Sequence, residues 1–179
     1  MLNKIKKISE EIIDENPWWK YMHDRLVYAN GKYGDYYYGL TNGMSMVVPI
    51  LSDGRLVLVM QYRYLESKNS IEFPGGGIRQ GSSPVKTAAS ELQEETGYIA
   101  SDFIKVGEFQ ASNGLFKDKS HIFLAKVENQ TEIESDDEEE IEVICRYPEE
   151  VDRMVINNDI WCGQTMAAWS ITRHYFLSK

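Results

Sequence analysis

Residues 72–98 read EFPGGGIRQGSSPVKTAASELQEETGY, a glycine-rich segment followed directly by helix-favouring residues. Ser83 can cap a helix, and Pro84 suits the first helical position because no N–H is needed there. Gly97 suits the left-handed conformation that often closes a helix. The stretch therefore predicts a loop that leads into a helix over residues 84–96.

Three glutamates share one face of this predicted helix: Glu91, Glu94 and Glu95. Residues three and four apart are neighbours on a helix, so the three carboxylates point into one region. A solvated acidic face, as in a protein-interaction domain, is the ordinary explanation for such a pattern. The helix dipole disfavours negative charge in the last turn, however, and the like-charge pair Glu91 and Glu95 costs about 0.2–0.5 kcal/mol. Helix stability alone would not select this arrangement.

The adjoining glycines allow the loop backbone to come close to a ligand, because glycine has no Cβ. Magnesium prefers oxygen ligands and commonly bridges carboxylates to substrate phosphates. It would also lower the pKa of an attacking water. Loop and helix together therefore predict a site for Mg²⁺ and a phosphorylated small molecule, with Mn²⁺ as a substitute ion.

The same stretch resembles the Nudix box, G-x5-E-x7-R-E-U-x-E-E-x-G-U, in which U is a bulky apolar residue. Two positions depart from this pattern, because Ser82 replaces its first glutamate and Ser90 replaces its arginine. The matching positions are Gly76, Glu91, Leu92, Glu94, Glu95, Gly97 and Tyr98.

This resemblance implies an α+β fold, a Nudix-type α/β/α sandwich with a mixed central sheet. It also implies Mg²⁺-dependent hydrolysis of the pyrophosphate bond of a nucleoside diphosphate derivative. The two serines keep a second function open, that of a catalytically weak or inactive Nudix module that binds a nucleotide as a sensor.

Segments outside the box are similar to the ADP-ribose pyrophosphatase branch of the family, including VLVMQYRY before it and DEEEIEV after it. The resemblance implies ADP-ribose or a nucleotide sugar as substrate. It makes Glu91, Glu95 and the backbone carbonyl of Gly75 metal ligands, with Glu94 assisting catalysis. It also places the base that accepts the proton of the attacking water at Glu139 or Glu138, although the acidic run alone would be read as a solvated loop.

The resemblance to this branch also implies substrate contacts at five residues. The arginine of the Gln-Tyr-Arg segment would hold phosphate by two parallel hydrogen bonds, with a surface role as the alternative. Trp19 would stack on the base, unless it serves core or dimer packing. Asp118 follows a Ser-Asn-Gly segment at 112–114. The branch has Ser-Pro-Gly at this place, followed by a glutamate. The five are Arg63, Glu72, Gly76, Trp19 and Asp118.

The N-terminal residues 1–43 are expected to form an extension that serves dimerisation or base binding, and residues 44–179 the hydrolase domain. Ile5, Ile8, Ile12 and Ile13 occur at helical spacing and predict an amphipathic helix. The Asn30-Gly31 pair predicts a β-hairpin after it, and Ser52-Asp53-Gly54 a second hairpin.

Composition limits the class of protein. The chain has 179 residues, 42% hydrophobic and 26% charged, which is typical of a globular protein. A net charge of -9 argues against a nucleic-acid polymer or an anionic membrane as partner. Two cysteines are too few for a disulfide scaffold, and no apolar run has signal-peptide or membrane-spanning character, so we expect the cytoplasm. The family resemblance implies a homodimer.

Overall fold

The computed structural model describes residues 5–127, 129–131 and 140–177. In chain order its strands are β1 Lys6–Glu15, β2 Lys20–Val27, β3 Tyr33–Leu40, β4 Met44–Ile50, β5 Leu56–Arg63, β6 Lys68–Glu72, β7 Gly75–Gly77, β8 Tyr98–Ile99, β9 Phe103–Phe109, β10 Phe116–Lys117, β11 Ser120–Lys126, β12 Asn129–Gln130 and β13 Ile141–Arg146. The α-helices of these described residues are α1 Pro84–Thr96, α2 Pro148–Ile156 and α3 Gly163–Thr172. Single 3₁₀ turns occupy Tyr64–Glu66 and Arg173–Tyr175.

The chain divides into two compact units, of which the first comprises Met1–Gly43 and Gln110–Lys119. Its sheet has the strand order β1-β2-β3-β10. The hairpin predicted from Asn30-Gly31 is confirmed, since β2 and β3 pair antiparallel and Gly31 has a φ of 80°. That backbone angle is one glycine adopts without strain.

The predicted N-terminal helix is wrong, because Lys6–Glu15 is a strand paired antiparallel with β2. The pairing skips a residue between Lys7 and Ser9 and again between Ile12 and Asp14, so Ile8 and Ile13 are bulge residues without a partner in the register. A bulge adds one residue and shifts the alternation of the side chains. Two bulges in ten residues therefore give isoleucines a spacing that resembles a helical period.

The second unit comprises Met44–Phe109 and Ser120–Lys179. Its main sheet has the order β13-β5-β4-β11-β9, with β6 beside β5 and β7 beside β4. Strand β4 pairs parallel with β11 and antiparallel with β5, which confirms a mixed sheet. The hairpin predicted at 52–54 connects β4 to β5.

Strand β4 is buried on both faces, which explains its nearly continuous apolar sequence. Met46 and Val48 pack in a cluster that includes Trp169 of α3. Val47, pointing the other way, packs with Leu92 of α1. The sheet therefore has helices on both faces, as the α+β prediction requires.

Helix α1 has the predicted limits. The Ser83 side chain accepts a hydrogen bond from the Lys86 amide at 3.4 Å, Pro84 occupies the first turn, and Gly97 closes the helix with a φ of 70°. These are the local signals of a capped helix. They fix where α1 begins and hence which way its glutamates point.

No helix in the described part of the chain has both the length and the apolar character that crossing a membrane requires.

Candidate functional site

Helix α1 carries the three predicted carboxylates at its C-terminal end. Leu92 and Ala88 are fully buried and anchor the helix to the sheet. Glu95 is 8% exposed, whereas Glu91 and Glu94 are partly buried. A carboxylate as buried as that of Glu95 needs hydrogen-bond or ionic partners.

Strand β7 supplies one of those partners. It pairs antiparallel with β4, so that Gly75 faces Met46 and Gly76 faces Ser45. The Gly75 amide donates a hydrogen bond of 3.0 Å to Oε2 of Glu95. The glycine loop and the C-terminal end of α1 thus meet through a direct contact between backbone and carboxylate.

Gly76 lies directly against Glu91. A Cβ built at Gly76 would overlap the Glu91 carboxylate, whereas a Cβ at Gly77 would meet no atom within 4 Å. Only glycine therefore leaves the Glu91 carboxylate in its place. The predicted role of the Gly75 carbonyl as a metal ligand stays a prediction.

Arg63, at the end of β5, forms a bidentate ion pair with Glu72 of β6. Its Nε donates to Oε1 at 2.8 Å and its Nη2 donates to Oε2 at 2.6 Å. These hydrogen bonds raise the pKa of Arg63, and the negative charge of Glu95 adds to the effect. The guanidinium therefore interacts electrostatically with the Glu95 carboxylate of α1.

Burial alone would raise the pKa of Glu72, but the hydrogen bonds and charge of Arg63 outweigh it, and the pKa is lowered. Glu72 is therefore ionised at neutral pH although its side chain is only 7% exposed. A buried carboxylate held in this way is a fixed negative charge beside the guanidinium.

The two positions that depart from the Nudix box have hydroxyl partners. Ser90 donates a hydrogen bond of 2.5 Å to Oε1 of Glu94. The hydroxyls of Ser82 and Thr87 are 3.2 Å apart and hydrogen bonded. Neutral hydroxyl groups thus stand in the places where the box has an arginine and a glutamate.

The remaining predicted residues lie elsewhere in the chain. Trp19 and Asp118 belong to the first compact unit, where the Trp19 amide donates to Asn16 Oδ1 at 3.0 Å and Asp118 Oδ1 accepts from the Thr41 hydroxyl at 2.8 Å. Glu138 and Glu139 lie outside the described residues. Their roles stay predictions.

Sequence reasoning missed Thr165 of α3. It is fully buried, and its hydroxyl oxygen accepts a hydrogen bond of 3.2 Å from the Phe73 amide, which fixes the segment between Glu72 and Gly75. A single threonine in a helix gives no local signal for such a contact. The sequence likewise gives no signal for the pairing of Arg63 with Glu72, although both are predicted to contact the substrate.

The donor set fits a hard divalent cation in its chemistry. Within residues 5–127, 129–131 and 140–177, no group of three or more His, Cys, Asp or Glu side chains is assembled as a metal site. Glu91 and Glu95 nevertheless both lie against the β7 backbone, and Gly76 leaves space for the Glu91 carboxylate that a Cβ would fill. Two carboxylates beside an open backbone are ligands that Mg²⁺ accepts, with waters completing its coordination.

Comparisons with known proteins agree on one family. The NUDIX domain model matches residues 41–159. The ADP-ribose pyrophosphatase of Bacillus subtilis (strain 168) is 30% identical over 130 residues, which cover 70% of this chain and 69% of that protein. The ADP-sugar pyrophosphatase of Mus musculus is 33% identical over 101 residues, covering 50% and 46% of the two chains. The crystal structure of an ADP compounds hydrolase superposes with a TM-score of 0.84 over 98% of this chain and 95% of that one; at 22% identity it shows the shared fold.

Proposed function

The chain belongs to the Nudix hydrolase family, and from that premise we propose that it hydrolyses the pyrophosphate bond of ADP-ribose or a nucleotide sugar. One observation carries the proposal: two carboxylates of a single helix, Glu91 and Glu95, lie against the backbone of Gly75 and Gly76. The relatives named for ADP-ribose and ADP-sugars support the substrate class.

Each residue of the proposed site has a separate role in binding the ion or the substrate. Glu91, Glu95 and the Gly75 carbonyl would hold Mg²⁺, or Mn²⁺ in its place, and Glu94 would assist. When bound, the ion supplies charge neutralisation of the diphosphate and a lowered pKa for the attacking water. Arg63 binds phosphate through its guanidinium, and Gly76 leaves room for the Glu91 carboxylate beside the β7 backbone.

The reaction is a hydrolysis. The water oxygen forms a bond to one phosphorus of the diphosphate, the bond from that phosphorus to the bridging oxygen breaks, and the proton of the water passes to Glu139 or Glu138. From ADP-ribose the products are AMP and ribose 5-phosphate.

An assay of the purified protein tests the proposal. We expect magnesium-dependent release of AMP from ADP-ribose or of a nucleoside monophosphate from a nucleotide sugar, abolished by a chelator and restored by excess Mg²⁺. Nucleoside triphosphates serve as the comparison substrates. Absence of turnover on every substrate would reject catalysis.

The two serines favour a second candidate, a nucleotide-binding sensor of the same fold. Ser90 gives Glu94 a hydrogen bond from an uncharged donor instead of a positive charge, which weakens electrostatic control of the carboxylates. Binding of ADP-ribose without magnesium-dependent turnover would establish the sensor.

We further propose that residues 1–43 join two copies of the chain. Strand β1 is at the edge of its sheet, and Ile5 just before it and Ile8, Ile12 and Ile13 within it are each about half exposed. An exposed apolar edge strand is suited to pairing with another strand. Sedimentation should give the mass of a dimer, and replacing Ile8 and Ile12 by lysine should give that of a monomer; an unchanged mass would contradict this interface.

A further inference from the structure

We infer that Glu72 is a positioning residue, which aims the guanidinium of Arg63 at the substrate's diphosphate and does not itself contact the substrate. The inference rests on the proposed function and replaces the direct substrate contact that the sequence predicts for Glu72. It follows from the geometry of the ion pair, the anchoring of Glu72 and the unequal exposure of the two side chains.

The ion pair uses one edge of the guanidinium. Arg63 engages both Glu72 oxygens with Nε and Nη2, the edge nearest its aliphatic chain. Arginine has five N–H donors in a planar fork. The outer edge, formed by Nη1 and the second hydrogen of Nη2, takes no part in this pair and has the shape that binds a phosphate through two parallel hydrogen bonds.

Glu72 is anchored on both sides. It pairs with Val59 in the register of β5 and β6, and the amide of its neighbour Phe73 donates to Thr165 of α3. Phe73 itself is 1% exposed, so its ring holds the segment in the core. A carboxylate on such a fixed backbone determines the orientation of a flexible arginine, because a preorganised group loses less entropy on binding.

Exposure separates the roles of the two residues. The Arg63 side chain is 43% exposed and the Glu72 side chain 7% exposed. Both Glu72 oxygens already accept hydrogen bonds from Arg63, so a phosphate arriving from solvent meets the guanidinium first. Like charge also keeps a phosphate away from the carboxylate. Glu72 therefore acts through Arg63.

A double-mutant cycle of Glu72→Gln and Arg63→Lys tests this division. Each single variant should raise KM for ADP-ribose about tenfold and change kcat less than about threefold, as expected when binding to ground state and transition state is lost equally. The double variant should be no worse than Arg63→Lys alone, because the contribution of Glu72 passes entirely through the guanidinium.

Two results would overturn the inference. One is an unchanged KM in Glu72→Gln. The other is a double variant whose KM rises by the product of the single effects, about a hundredfold, since independent sites add in free energy. If the first result is accompanied by a fall in kcat, Glu72 participates directly in the chemistry.

The matched control is Asp53→Asn, which breaks the exposed ion pair of Asp53 with Arg55 in the β4–β5 turn of the same unit. Its KM should equal that of the wild type. Melting curves check folding, and Glu72→Gln should melt cooperatively because glutamine can still accept one N–H from Arg63.

Calorimetric titration with inorganic pyrophosphate separates failure of the inference from failure of the proposed function. If the wild type turns over no diphosphate, the proposed function fails, and the same cycle is then measured as pyrophosphate affinity. The inference is supported if Glu72→Gln weakens pyrophosphate affinity tenfold in the wild-type chain but has no effect in a chain that already carries Arg63→Lys. Equal affinity of the wild type and Glu72→Gln overturns it.

Discussion

A single methyl group added at Gly76 would displace a carboxylate of the proposed site. The Glu91 carboxylate occupies the space that a Cβ at Gly76 would need, while the neighbouring Gly77 has open space in the same direction. Both glycines belong to strand β7. Steric room for a carboxylate, not backbone freedom, is therefore the requirement at Gly76.

We predict that Gly76→Ala lowers magnesium affinity and kcat/KM by about 10- to 100-fold, the range found when ligand orientation is disturbed. The alanine methyl must displace Glu91, whereas Gly77→Ala should leave both quantities within about twofold. Calorimetry with Mg²⁺ and steady-state kinetics measure them. Equal loss in the two variants would mean that strand β7, and not Glu91, is what the substitution disturbs.

Removing Arg63 and removing the charge of Glu72 should lower the free energy of unfolding by different amounts. Arg63→Ala leaves a buried carboxylate unpaired, whereas Glu72→Gln leaves a half-exposed guanidinium that water can solvate. We predict that Arg63→Ala lowers the free energy of unfolding by about 2–4 kcal/mol and Glu72→Gln by about 1 kcal/mol or less. Urea denaturation at pH 7 compares them, and a reversed order would refute the burial argument.

At the scale of elements, α1 could be predicted from sequence because its signals are local. Ser83, Pro84 and Gly97 act within one turn of the helix ends, so no knowledge of the rest of the fold is needed. Helix α2 is not predicted, although its sequence has comparable signals, namely Pro148 and Glu150 in its first turn. In the structure the Tyr147 amide donates a hydrogen bond to the Glu150 carboxylate. Proline followed by acids is the pattern that would have found it.

Strand β1 could not be predicted because bulges are set by the partner strand. The spacing of its isoleucines is compatible with a helix until the pairing with β2 is known. The same limit applies to the ion pair of Arg63 with Glu72, which depends on the register of β5 and β6. Both residues are predicted to contact the substrate, and only the sheet brings them into contact with each other.

His23 of β2 joins the three long strands of the first unit. Its Nδ1 is 2.7 Å from Oε1 of Glu11 on β1, and its Nε2 is 2.8 Å from Oδ1 of Asp35 on β3. Two carboxylates are both satisfied only when the imidazole is doubly protonated. The hydrogen bonds to Glu11 and Asp35 accordingly raise the pKa of His23 above its ordinary value of 6.5. The ring of Tyr37 stacks on the imidazole, with 4.5 Å between the two ring centroids.

We predict that this link weakens as pH rises. A raised folded pKa means that the contribution to stability is complete below pH 6.5 and is lost as pH rises through the folded value. Hydrogen exchange of the β1 amides should therefore accelerate more steeply with pH in the wild type than in His23→Gln, after correction for intrinsic exchange. Parallel pH profiles would show that His23 does not hold β1.

For the whole molecule, a chain with a net charge of -9 is proposed to act on a substrate that is itself an anion. Long-range repulsion must be offset at the site, where a divalent cation would supply two positive charges and the free edge of the Arg63 guanidinium would donate hydrogen bonds to phosphate. The fold brings these requirements together from distant parts of the sequence, with Arg63 on β5, the glycines on β7 and the carboxylates on α1. The family and the carboxylate helix could be read from residues 72–98, whereas the mutual arrangement required the sheet.

The Glu95 carboxylate is proposed to hold, through its charge, the cation that activates water, and the Glu95→Gln variant tests this most directly. Glutamine keeps an acceptor for the Gly75 amide but carries no charge, so the variant should melt within a few degrees of the wild type. We predict that kcat for ADP-ribose with Mg²⁺ falls at least about a hundredfold, a loss of about 2.7 kcal/mol of transition-state stabilisation, while the exposed control Glu149→Gln keeps full activity. Unchanged hydrolysis in Glu95→Gln would contradict the account.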